Sequence, residues 1–484
     1  MNTATRHAPV QLDSGLLRAA GRTPTVPFAV RLADGRALVV QQLLRVLPGK
    51  RMVGRARLDD QPVLAKLYIA GRSRHWVREK EGIDHLMAAG LPTPELLLSE
   101  PLRDGGHVLG FRFLDDAHTL LDDWQQVQHR RPGAPECNAV LEPAFFLLGR
   151  MHQQGITHAD LHLDNFLRQG ETLYIIDGDT VELHARQPLP LDRAATDLGR
   201  LIAQLPVHWE HADTLGPLLT AYGNGNPSGL PSAARLHAAV SRERNWRLKD
   251  YMSKVQRECT LFQRRKSFWR RSMALREHLD ALETLLNQPD QVLEQGERLK
   301  SGNTCTIARC TSNGLDAVIK RYNIKHLLHF LSRFWRPSRA WHAWVAGNHL
   351  KVLGIPTPLP LAIIEDRFGW FRRRAWLITA HCNGIHLQAH LSPDAAPPEA
   401  EAEAILRLFN TLFRARITHG DLKATNLLWD GEQIQLIDLD AMRHHRSARK
   451  HKKAWRKDRA RFLRNWPDDS ELHEWLSEKL PPAR

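Results

Sequence analysis

Apolar and polar residues alternate near the start of the chain, as they do in half-buried strands. The alternation over residues 28–32 and 37–40, on either side of Asp34-Gly35, predicts a hairpin. Short apolar runs at 63–68 and 317–322 predict two further strands. Each of these runs follows a turn that contains glycine, so a similar turn and strand are predicted in each half of the chain.

Helical patterns follow the first strands. Residues 75–89 predict a helix that ends at Gly90, before Pro92. A second helix is predicted over 143–154, with its proline in the first turn, and residues 232–288 are predicted to be helical and basic. The second helix leads into a turn-rich loop, and a short apolar strand follows that loop.

One set of polar residues in this loop and strand occurs twice. In each copy an Asp precedes an Asn by five residues, and a second Asp lies twelve residues beyond that Asn. The first copy is Asp160, Asn165 and Asp177, and the second is Asp421, Asn426 and Asp438. An Asp that caps a turn or ends a strand is common. That explanation does not account for a whole set that recurs at a constant separation of 261 residues.

These residue types suit phosphoryl transfer. One carboxylate accepts the proton of an attacking hydroxyl, while an amide oxygen and a second carboxylate hold Mg²⁺ beside the phosphates. The spacing matches the kinase catalytic loop and the metal-binding Asp beyond it. The sequence therefore predicts a kinase-type catalytic loop in each half.

The predicted strands place a lysine ahead of each loop. Lys66 and Lys320 lie among apolar strand residues, where a lysine can also simply extend to the surface. Their position between a glycine-bearing turn and a catalytic loop favours phosphate binding. On the helix predicted at 75–89, Glu79 or Glu81 is the candidate partner of Lys66, and a solvated helix face is the alternative for either.

Two further aspartates repeat the same separation. Asp197 and Asp458 are 261 residues apart, and each lies in a segment that is predicted to be helical. One interpretation is that Asp197 merely caps the N-terminus of its helix. We favour a second interpretation, in which each is a buried carboxylate that supports the catalytic loop of its own half.

Length and composition limit the class of protein. A chain of 484 residues, 42% hydrophobic and 25% charged, predicts two globular domains. Its net charge of +15 favours acidic partners, whether nucleic acid, anionic lipid or phosphorylated sugar. Neither a membrane span nor a signal peptide is predicted. Five scattered cysteines without zinc spacing fit a reducing cytoplasm better than a metal site.

Further motifs accompany the repeated residues. In the first half they are Arg78-Glu79, Gly90-Leu91-Pro92-Thr93-Pro94, His158-Ala159-Asp160-Leu161-His162 and Asp177-Gly178-Asp179. In the second half they are Lys320-Arg321-Tyr322-Asn323, Ser338-Arg339-Ala340-Trp341, Gly354-Ile355-Pro356-Thr357-Pro358, His419-Gly420-Asp421-Leu422-Lys423 and Asp438-Leu439-Asp440. With these motifs, most of the chain resembles the bacterial lipopolysaccharide kinases of the Kdo/heptose type, a branch of the protein-kinase-like fold.

The resemblance implies an α+β fold with two tandem protein-kinase-like domains. Each domain would have a small N-lobe built on an antiparallel sheet and a helical C-lobe. The expected domains are residues 27–231 and 291–484. Between them, residues 232–290 are expected to form a helical, basic connector, which is a candidate to complete the C-lobe of the first domain.

The resemblance also implies a reaction, ATP-dependent phosphorylation of a heptose or Kdo hydroxyl in the lipopolysaccharide inner core. The enzyme would work at the cytoplasmic face of the inner membrane, with ATP and Mg²⁺ as cofactors. The implied roles are catalytic base for Asp160 and Asp421, metal ligand for Asn165, Asp177, Asn426 and Asp438, and ATP-phosphate binding for Lys66 and Lys320, with Glu79 orienting Lys66. The alternatives are a kinase for a protein or small-molecule acceptor, and a partly inactive pseudokinase scaffold in envelope biogenesis.

The two halves differ in two respects. Counted back from the Pro-Thr-Pro motif, the second half has Ala343 where the first has Glu79. The chain also ends 26 residues after Asp458, which predicts a helical lobe that is small or that borrows packing from the connector. We therefore expect the first half to perform most of the phosphotransfer. The second half, if it is active, is expected either to recruit another carboxylate for Lys320 or to work with a poorly held lysine.

Two basic and aromatic stretches lie in the second half, at 325–344 and 443–464, and the latter contains eleven Lys or Arg residues. No nucleic-acid-binding motif accompanies them, so nucleic acid is not expected as a partner. They suggest contact with anionic lipid at the inner membrane surface. A solvated basic face is the alternative for each stretch.

Overall fold

The computed structural model describes residues 9–70, 74–185, 187–210, 212–302, 304–323, 337–369 and 371–482. The chain forms two compact units. The first contains residues 1–204 and 211–243, and the second contains residues 205–210 and 244–484. Of the basic stretch predicted at 325–344, residues 325–336 lie outside the described residues.

The first unit is built on a seven-stranded sheet. Its strand order is β1-β2-β3-β4-β5-β7-β6, and every described pairing except β1 with β2 is antiparallel. The strands are β1 (Val10–Gln11), β2 (Phe28–Arg31), β3 (Ala37–Leu47), β4 (Arg51–Leu58), β5 (Gln61–Tyr68), β6 (Leu96–Pro101) and β7 (His107–Arg112), followed by β8 (His118–Thr119), β9 (Ile156–His158), β10 (Phe166–Gln169), β11 (Thr172–Ile175) and β12 (Val181–Leu183). The last five strands form a three-stranded sheet, β11-β10-β8, and the pair β12-β9.

The helices of this unit flank the sheets. They are α1 (Ser14–Ala19), α2 (His75–Ala88), α3 (Leu120–Val127), α4 (Pro135–Gln153), α5 (Leu191–Ile202), α6 (Ala212–Gly225) and α7 (Ala233–Lys254), whose residues after 243 belong to the second unit. Short 3₁₀ turns lie at Leu163–Asn165 and Gly178–Thr180. The helix predicted at 143–154 begins earlier, at Pro135, so Pro143 lies inside it.

The second unit repeats the counts of strands in its three sheets. A seven-stranded sheet has the order β13-β14-β18-β19-β17-β16-β15, and smaller sheets have the orders β20-β22-β23 and β21-β24. The strands are β13 (Phe262–Lys266), β14 (Arg270–Leu275), β15 (Glu297–Ser301), β16 (Cys305–Ser312), β17 (Leu315–Tyr322), β18 (Pro360–Phe368), β19 (Phe371–Ala380), β20 (Ile385–His386), β21 (Ile417–Thr418), β22 (Leu427–Trp429), β23 (Ile434–Leu436) and β24 (Arg443–His444).

The described helices of the second unit are mostly in its C-terminal half. They are α8 (Leu279–Asn287), α9 (Pro289–Gln295), α10 (Arg339–Leu353), α11 (Leu387–His390), α12 (Glu399–Arg414), α13 (Ala448–Leu463) and α14 (Glu471–Lys479), with 3₁₀ turns at Val207–Trp209, Arg276–His278, Ala424–Asn426 and Leu439–Ala441. The prediction of an α+β fold is confirmed, since each unit joins antiparallel sheets to helices. No helix in the described ranges is both long and apolar enough to cross a bilayer.

The prediction of a helical connector over 232–290 is wrong at its centre. Strands β13 and β14 form a hairpin there, and β14 pairs antiparallel with β18 in the sheet of the second unit. The physical reason is packing, because Phe262 and the run Ser272–Leu275 are buried within that unit. Basic residues around the turn hide this strand pattern in the sequence. Residues from 244 onward belong to the second unit, so only the start of α7 contributes to the first.

Candidate active sites

In the first unit, Lys66 lies between two carboxylates. Strand β5 places its Nζ against Glu79 Oε1 from α2 and 3.2 Å from Asp177 Oδ1. Glu79 is fully buried, and its Oε1 also accepts a hydrogen bond from the Gly178 backbone N–H at 3.2 Å. Glu81 is exposed, so the structure assigns the lysine partner to Glu79.

The loop after β9 holds the other predicted residues of this unit. The Asn165 Nδ2 donates to the Asp160 carbonyl oxygen at 2.7 Å, and the Ile176 N–H donates to the Asn165 carbonyl oxygen at 2.9 Å. Asp177 follows with φ of 70°, a left-handed conformation that is unusual for a residue other than glycine. Such strain at a turn is typical of functional sites, and it brings Asp177 to the lysine.

Charge and burial act together on the aspartates of the first unit. Burial opposes ionisation of Asp177, but the Lys66 ammonium, a hydrogen bond with Glu79 and the Arg51 guanidinium together outweigh it, so the pKa of this carboxyl lies well below its ordinary value. The His162 imidazole, 3.7 Å from Asp160 Oδ2, lowers the pKa of Asp160. Both carboxylates are therefore ionised near neutral pH, as a metal ligand and a proton acceptor must be.

In the second unit, Lys320 on β17 also lies between two carboxylates, but neither comes from a helix. Its Nζ is 2.6 Å from Asp438 Oδ1 and 3.1 Å from Asp440 Oδ2. Ala343, on α10, is buried and offers no acceptor. Burial alone would lower the pKa of Lys320, and the two carboxylates instead raise it.

Asp440 also joins the sheet to α10. Its Oδ1 accepts the Tyr322 hydroxyl at 2.6 Å, and its Oδ2 accepts Arg339 Nη2 at 2.7 Å. The corresponding residue of the first unit, Asp179, instead accepts Arg78 Nε at 2.9 Å and lies 2.8 Å from His75 Nδ1. In both units the second Asp of an Asp-x-Asp segment therefore joins the loop to a helix.

The loop after β21 repeats the hydrogen bonds of the first unit. The Asn426 Nδ2 donates to the Asp421 carbonyl oxygen at 2.9 Å, and the Ile437 N–H donates to the Asn426 carbonyl oxygen at 3.0 Å. Asp438 has φ of 60°, again in the left-handed region. The predicted Lys, Asp, Asn and Asp of each half are thus brought together within each unit.

Two buried aspartates accept hydrogen bonds from the backbone at the start of these loops. Asp197 on α5 accepts the His158 N–H at 3.0 Å. Asp458 on α13 accepts the N–H groups of His419 at 2.6 Å and Gly420 at 3.0 Å. Burial raises the pKa of Asp458. The two backbone N–H groups act in the opposite direction, because their hydrogen bonds offset part of the cost of burying a charged carboxylate.

The two candidate bases have different neighbours. Asp421 forms ion pairs with Arg461 from α13 and with Lys423, whose Nζ is 3.3 Å away. Asp160 has His162 nearby instead. Sequence reasoning did not assign roles to Arg461, Asp440 or Tyr322. Asp179 and Asp440 recur at the same separation of 261 residues, and this recurrence is the sequence signal from which a role for Asp440 could have been predicted.

Each site has oxygen donors that suit Mg²⁺, a hard cation that takes carboxylate and amide oxygens and retains phosphate and water ligands. Because the amide nitrogens of Asn165 and Asn426 donate to the loop backbone, their amide oxygens are left available beside Asp177 and Asp438. Within the described ranges, no cluster of three or more His, Cys, Asp or Glu could hold a metal. An Asn, an Asp and the nucleotide phosphates would have to share the ion.

A cavity of about 760 Å³ lies beside the loop that contains Asp421 in the second unit. Its lining includes Thr418 of β21 and Gly420 of that loop, and four cationic side chains from β24 and α13, which are Arg443, Lys450, Lys453 and Lys457. A second cavity of about 640 Å³ shares Gly420 and Lys457 with the first and adds Arg461, the partner of Asp421. The second cavity therefore extends the cationic lining to Arg461, which forms an ion pair with the candidate base Asp421.

Histidines complete the lining of the larger cavity, at positions 342, 349, 444 and 445. Burial lowers the pKa of His349 to about 4, and it also lowers the pKa of His444 and His445, with neighbouring positive groups acting in the same direction. The imidazoles of His349, His444 and His445 are therefore neutral at pH 7. Apart from the histidines, the charged side chains of the lining are three lysines, one arginine and Asp458, so cations predominate and their mutual repulsion favours an anionic ligand.

The family model of the Lipopolysaccharide kinase (Kdo/WaaP) family matches residues 289–473 of this chain. The matched segment lies in the second unit and contains Lys320, Asp421, Asn426 and Asp438. It is less than half of the chain. The match indicates a kinase that phosphorylates a sugar hydroxyl and that uses ATP, so this chain is an enzyme of the kinase class.

Two similar proteins extend this comparison. Over 141 residues the chain is 29% identical to a probable bifunctional tRNA threonylcarbamoyladenosine biosynthesis protein from Methanosarcina acetivorans. That segment is 28% of this chain and 25% of the relative, so the chain spans about a quarter of the relative's length. A solved structure of WaaP in complex with acyl carrier protein aligns with 43% of this chain and 89% of that chain, at 21% identity and a TM-score of 0.33.

Proposed function

We propose that this chain transfers the γ-phosphoryl group of Mg-ATP to a heptose or Kdo hydroxyl of the lipopolysaccharide inner core, at the cytoplasmic face of the inner membrane. In this proposal the chain contains two tandem protein-kinase-like domains, and the second unit phosphorylates the core sugar. The observation on which the proposal rests is that the family match falls on the segment where Lys320, Asp421, Asn426 and Asp438 converge.

The proposed chemistry follows from these contacts. Asp421 accepts the proton of the sugar hydroxyl as its oxygen attacks the γ-phosphorus, and the bond to the β-phosphate oxygen breaks. Lys320 contacts the nucleotide phosphates and is oriented by Asp438 and Asp440. Asn426 and Asp438 would hold Mg²⁺, which neutralises charge on the transferred phosphoryl group when it is bound. In the first unit, Asp160, Lys66, Glu79, Asn165 and Asp177 have the equivalent roles.

The charge of the cavity supports an anionic acceptor for the second unit. Shifting by the 261-residue separation, the positions of Arg443, Lys453 and Lys457 correspond to Glu182, Asp192 and Thr196 in the first unit. Asp192 forms an ion pair with Arg235 at 3.1 Å. Cations in one unit are therefore replaced by acidic or neutral residues in the other. Core sugars near lipid A lie among phosphate groups, which matches the second unit better.

The experiment uses the full chain, Mg-ATP and three acceptors, which are dephosphorylated core oligosaccharide, a general protein substrate and an aminoglycoside. We expect one phosphate to appear on heptose or Kdo, as located by mass spectrometry, and chelation of Mg²⁺ to abolish transfer. Transfer only to the protein or the aminoglycoside would replace the acceptor class. A folded chain that binds no Mg-ATP in calorimetry would support the pseudokinase alternative instead.

A further inference from the structure

Three large aromatic side chains lie exposed at the turns of two neighbouring hairpins in the second unit. Phe268 and Trp269 lie between β13 and β14, and Phe368 is the last residue of β18. Their exposed fractions are 56%, 60% and 49%. Residues of this size ordinarily bury most of their surface, and a group of them on the surface marks an interaction site. We call these three residues the aromatic tip.

The aromatic tip is an ordered cluster in which each ring contacts the other two. The ring centroids are 5.0 Å apart for Phe268 and Trp269, and 5.2 Å apart for Phe368 with either of them. Backbone hydrogen bonds join the two turns, from the Arg367 N–H to the Trp269 carbonyl at 2.6 Å and from the Gly369 N–H to the Phe268 carbonyl at 3.1 Å. The rings are therefore held together at the surface by the sheet beneath them.

The charge around the aromatic tip is strongly positive. Residues 262–271 and 365–374 contain nine Lys or Arg residues and two carboxylates. Both carboxylates are paired, Asp366 with Arg270 at 2.8 Å and Glu365 with Arg367 at 2.6 Å. Lys266 and Arg373 are exposed. An anionic surface that approaches the rings would therefore meet cations without a competing free carboxylate from these two hairpins.

Exposed Phe and Trp surrounded by Lys and Arg fit the interface of an anionic bilayer, where rings enter the headgroup region and cations contact lipid phosphates. A second copy of the chain fits less well, because two positive surfaces would face each other. The basic run at 443–464 is a weaker candidate than the sequence suggests. His451, Trp455 and Phe462 of that run are buried, and several of its cations line the cavity.

We propose that the aromatic tip is the membrane-docking surface of this chain, with Phe268, Trp269 and Phe368 inserted among headgroups and Lys266 and Arg373 on lipid phosphates. This inference rests on the proposed function for its purpose, since docking would bring the second unit to an acceptor held in a bilayer. Its geometry is independent of catalysis, because no residue of the aromatic tip belongs to either candidate site.

The experiment is co-sedimentation of the full chain with vesicles of phosphatidylethanolamine and phosphatidylglycerol at 3:1, and with phosphatidylcholine vesicles. The test variant combines Phe268→Ser, Trp269→Ser and Phe368→Ser. Its matched control is Trp246→Ser on α7, where the tryptophan is 61% exposed. A charge variant, Lys266→Glu with Arg373→Glu, is matched by Arg449→Glu with Lys452→Glu, which makes the same charge change on exposed positions of α13.

We expect the native chain to sediment with the anionic vesicles, and the triple variant to bind them at least tenfold more weakly, with little change for Trp246→Ser. The Lys266/Arg373 variant should lose binding, and the Arg449/Lys452 variant should retain most of it. Salt should weaken binding only in part as the Debye length falls from about 10 Å at 0.1 M to about 3 Å at 1 M, because the rings contribute without charge.

Several results would overturn the docking surface. The first is vesicle binding by the triple variant that is as strong as that of the native chain. The second is loss of binding only in the Arg449/Lys452 variant. The third is a native chain that does not bind vesicles but self-associates or binds single-stranded RNA through these rings. Melting temperature and Mg-ATP binding of each variant confirm folding. Phosphotransfer to a soluble, deacylated core oligosaccharide is measured separately. If it fails in the native chain while vesicle binding follows the aromatic tip, the proposed function fails and the docking surface stands.

Discussion

The two units hold their strand lysines in different ways. Lys66 is held by Glu79 from a helix and by Asp177, whereas Lys320 is held by Asp438 and Asp440, both from the segment after β23. The second unit has Ala343 on its helix and still has two carboxylates on its lysine. Asp440, two residues beyond the candidate metal ligand Asp438, thus takes the place on Lys320 that Glu79 of α2 takes on Lys66.

This difference changes the comparison of the two sites. The sequence alone favours the first unit, because Lys320 has no Glu partner at the helical position. In the structure Lys320 does have a second carboxylate partner, because its Nζ lies 3.1 Å from Asp440 Oδ2. The missing Glu therefore no longer favours the first unit. The family match and the cationic cavity are in the second unit. Which unit phosphorylates the core sugar stays a prediction. The first of four sets of paired variants tests it, and the other three test the contacts that distinguish the two sites.

The largest expected effect comes from removing the candidate bases. Asp421→Asn should lower phosphotransfer to the core sugar by about 10²–10⁴-fold, the usual contribution of a general base. Asp160→Asn should leave most of it. Both variants remove one charge and preserve side-chain shape, so each is the control for the other. Mass spectrometry of core oligosaccharide from cells that contain each variant measures the missing phosphate.

The opposite result would reverse the assignment of the two units. If Asp160→Asn removed the phosphate and Asp421→Asn did not, the first unit would be the core kinase, as the sequence alone favours. Equal losses would mean that the two sites act in series on one product. Retention of Mg-ATP binding in both variants separates loss of the base from loss of folding.

The next effect concerns the lysine partners. Asp440→Ala removes one of two charge-assisted hydrogen bonds to Lys320, and such a bond contributes about 1.5–3 kcal/mol. Affinity of the second site for Mg-ATP should fall about 10–100-fold. Asp179→Ala is the matched control in the first unit, and it should change Mg-ATP affinity little because Lys66 retains Glu79 and Asp177.

Calorimetry on the full chain measures the Mg-ATP affinity of one site at a time when each variant also carries a substitution that blocks nucleotide binding in the other unit. Lys66→Met blocks the first site, and Lys320→Met blocks the second. Equal losses from Asp440→Ala and Asp179→Ala would show that the second Asp acts by joining the loop to its helix. In that case its contact with Lys320 would be incidental.

The sequence predicted which polar residues come together in each unit better than it predicted the elements around them. Catalytic residues must keep their types and spacing, so Lys66, Asp160, Asn165 and Asp177 could be recognised before their positions were known. The hairpin of β13 and β14 was missed because its strands are short and strongly basic around the turn, a composition that is also common on solvated helices. Its burial depends on a partner strand nearly 100 residues later.

The differences between the two sites were also outside the reach of the sequence. Ala343 indicated that a carboxylate was missing, but only the fold shows that Asp440 supplies one. The basic run at 443–464 was predicted as one surface. On α13 its side chains separate by helical periodicity into a buried face with Trp455, a cavity lining with Lys453 and Lys457, and an exposed face with Lys452.

A smaller effect is expected from the cationic cavity. The double change Lys453→Gln with Lys457→Gln should raise the KM for core oligosaccharide about tenfold and leave Mg-ATP affinity unchanged, because about 1.4 kcal/mol of charge attraction to the acceptor is lost. Lys452→Gln, on the same helix outside both cavities, is the control. Steady-state kinetics with the soluble acceptor measures both. An unchanged KM, or an equal effect of Lys452→Gln, would remove the cavity from acceptor binding.

The smallest effect on chemistry and the clearest effect on local stability should come from the buried aspartates beneath the loops. Asp458 accepts backbone N–H groups from two residues, His419 and Gly420, while Asp197 accepts one from His158 and an ion pair from Arg200 at 2.5 Å. An amide at position 458 keeps one acceptor oxygen but turns N–H donors toward the loop. Asp458→Asn should therefore lower the free energy of unfolding of this loop by about 1–3 kcal/mol, the usual penalty of an unmet buried hydrogen bond.

Hydrogen exchange measures this local effect. In Asp458→Asn, exchange should become faster in the loop that contains Asp421 and stay unchanged in the loop that contains Asp160. Asp197→Asn should produce the reverse pattern, and a change spread equally over both loops would mean that neither aspartate acts locally.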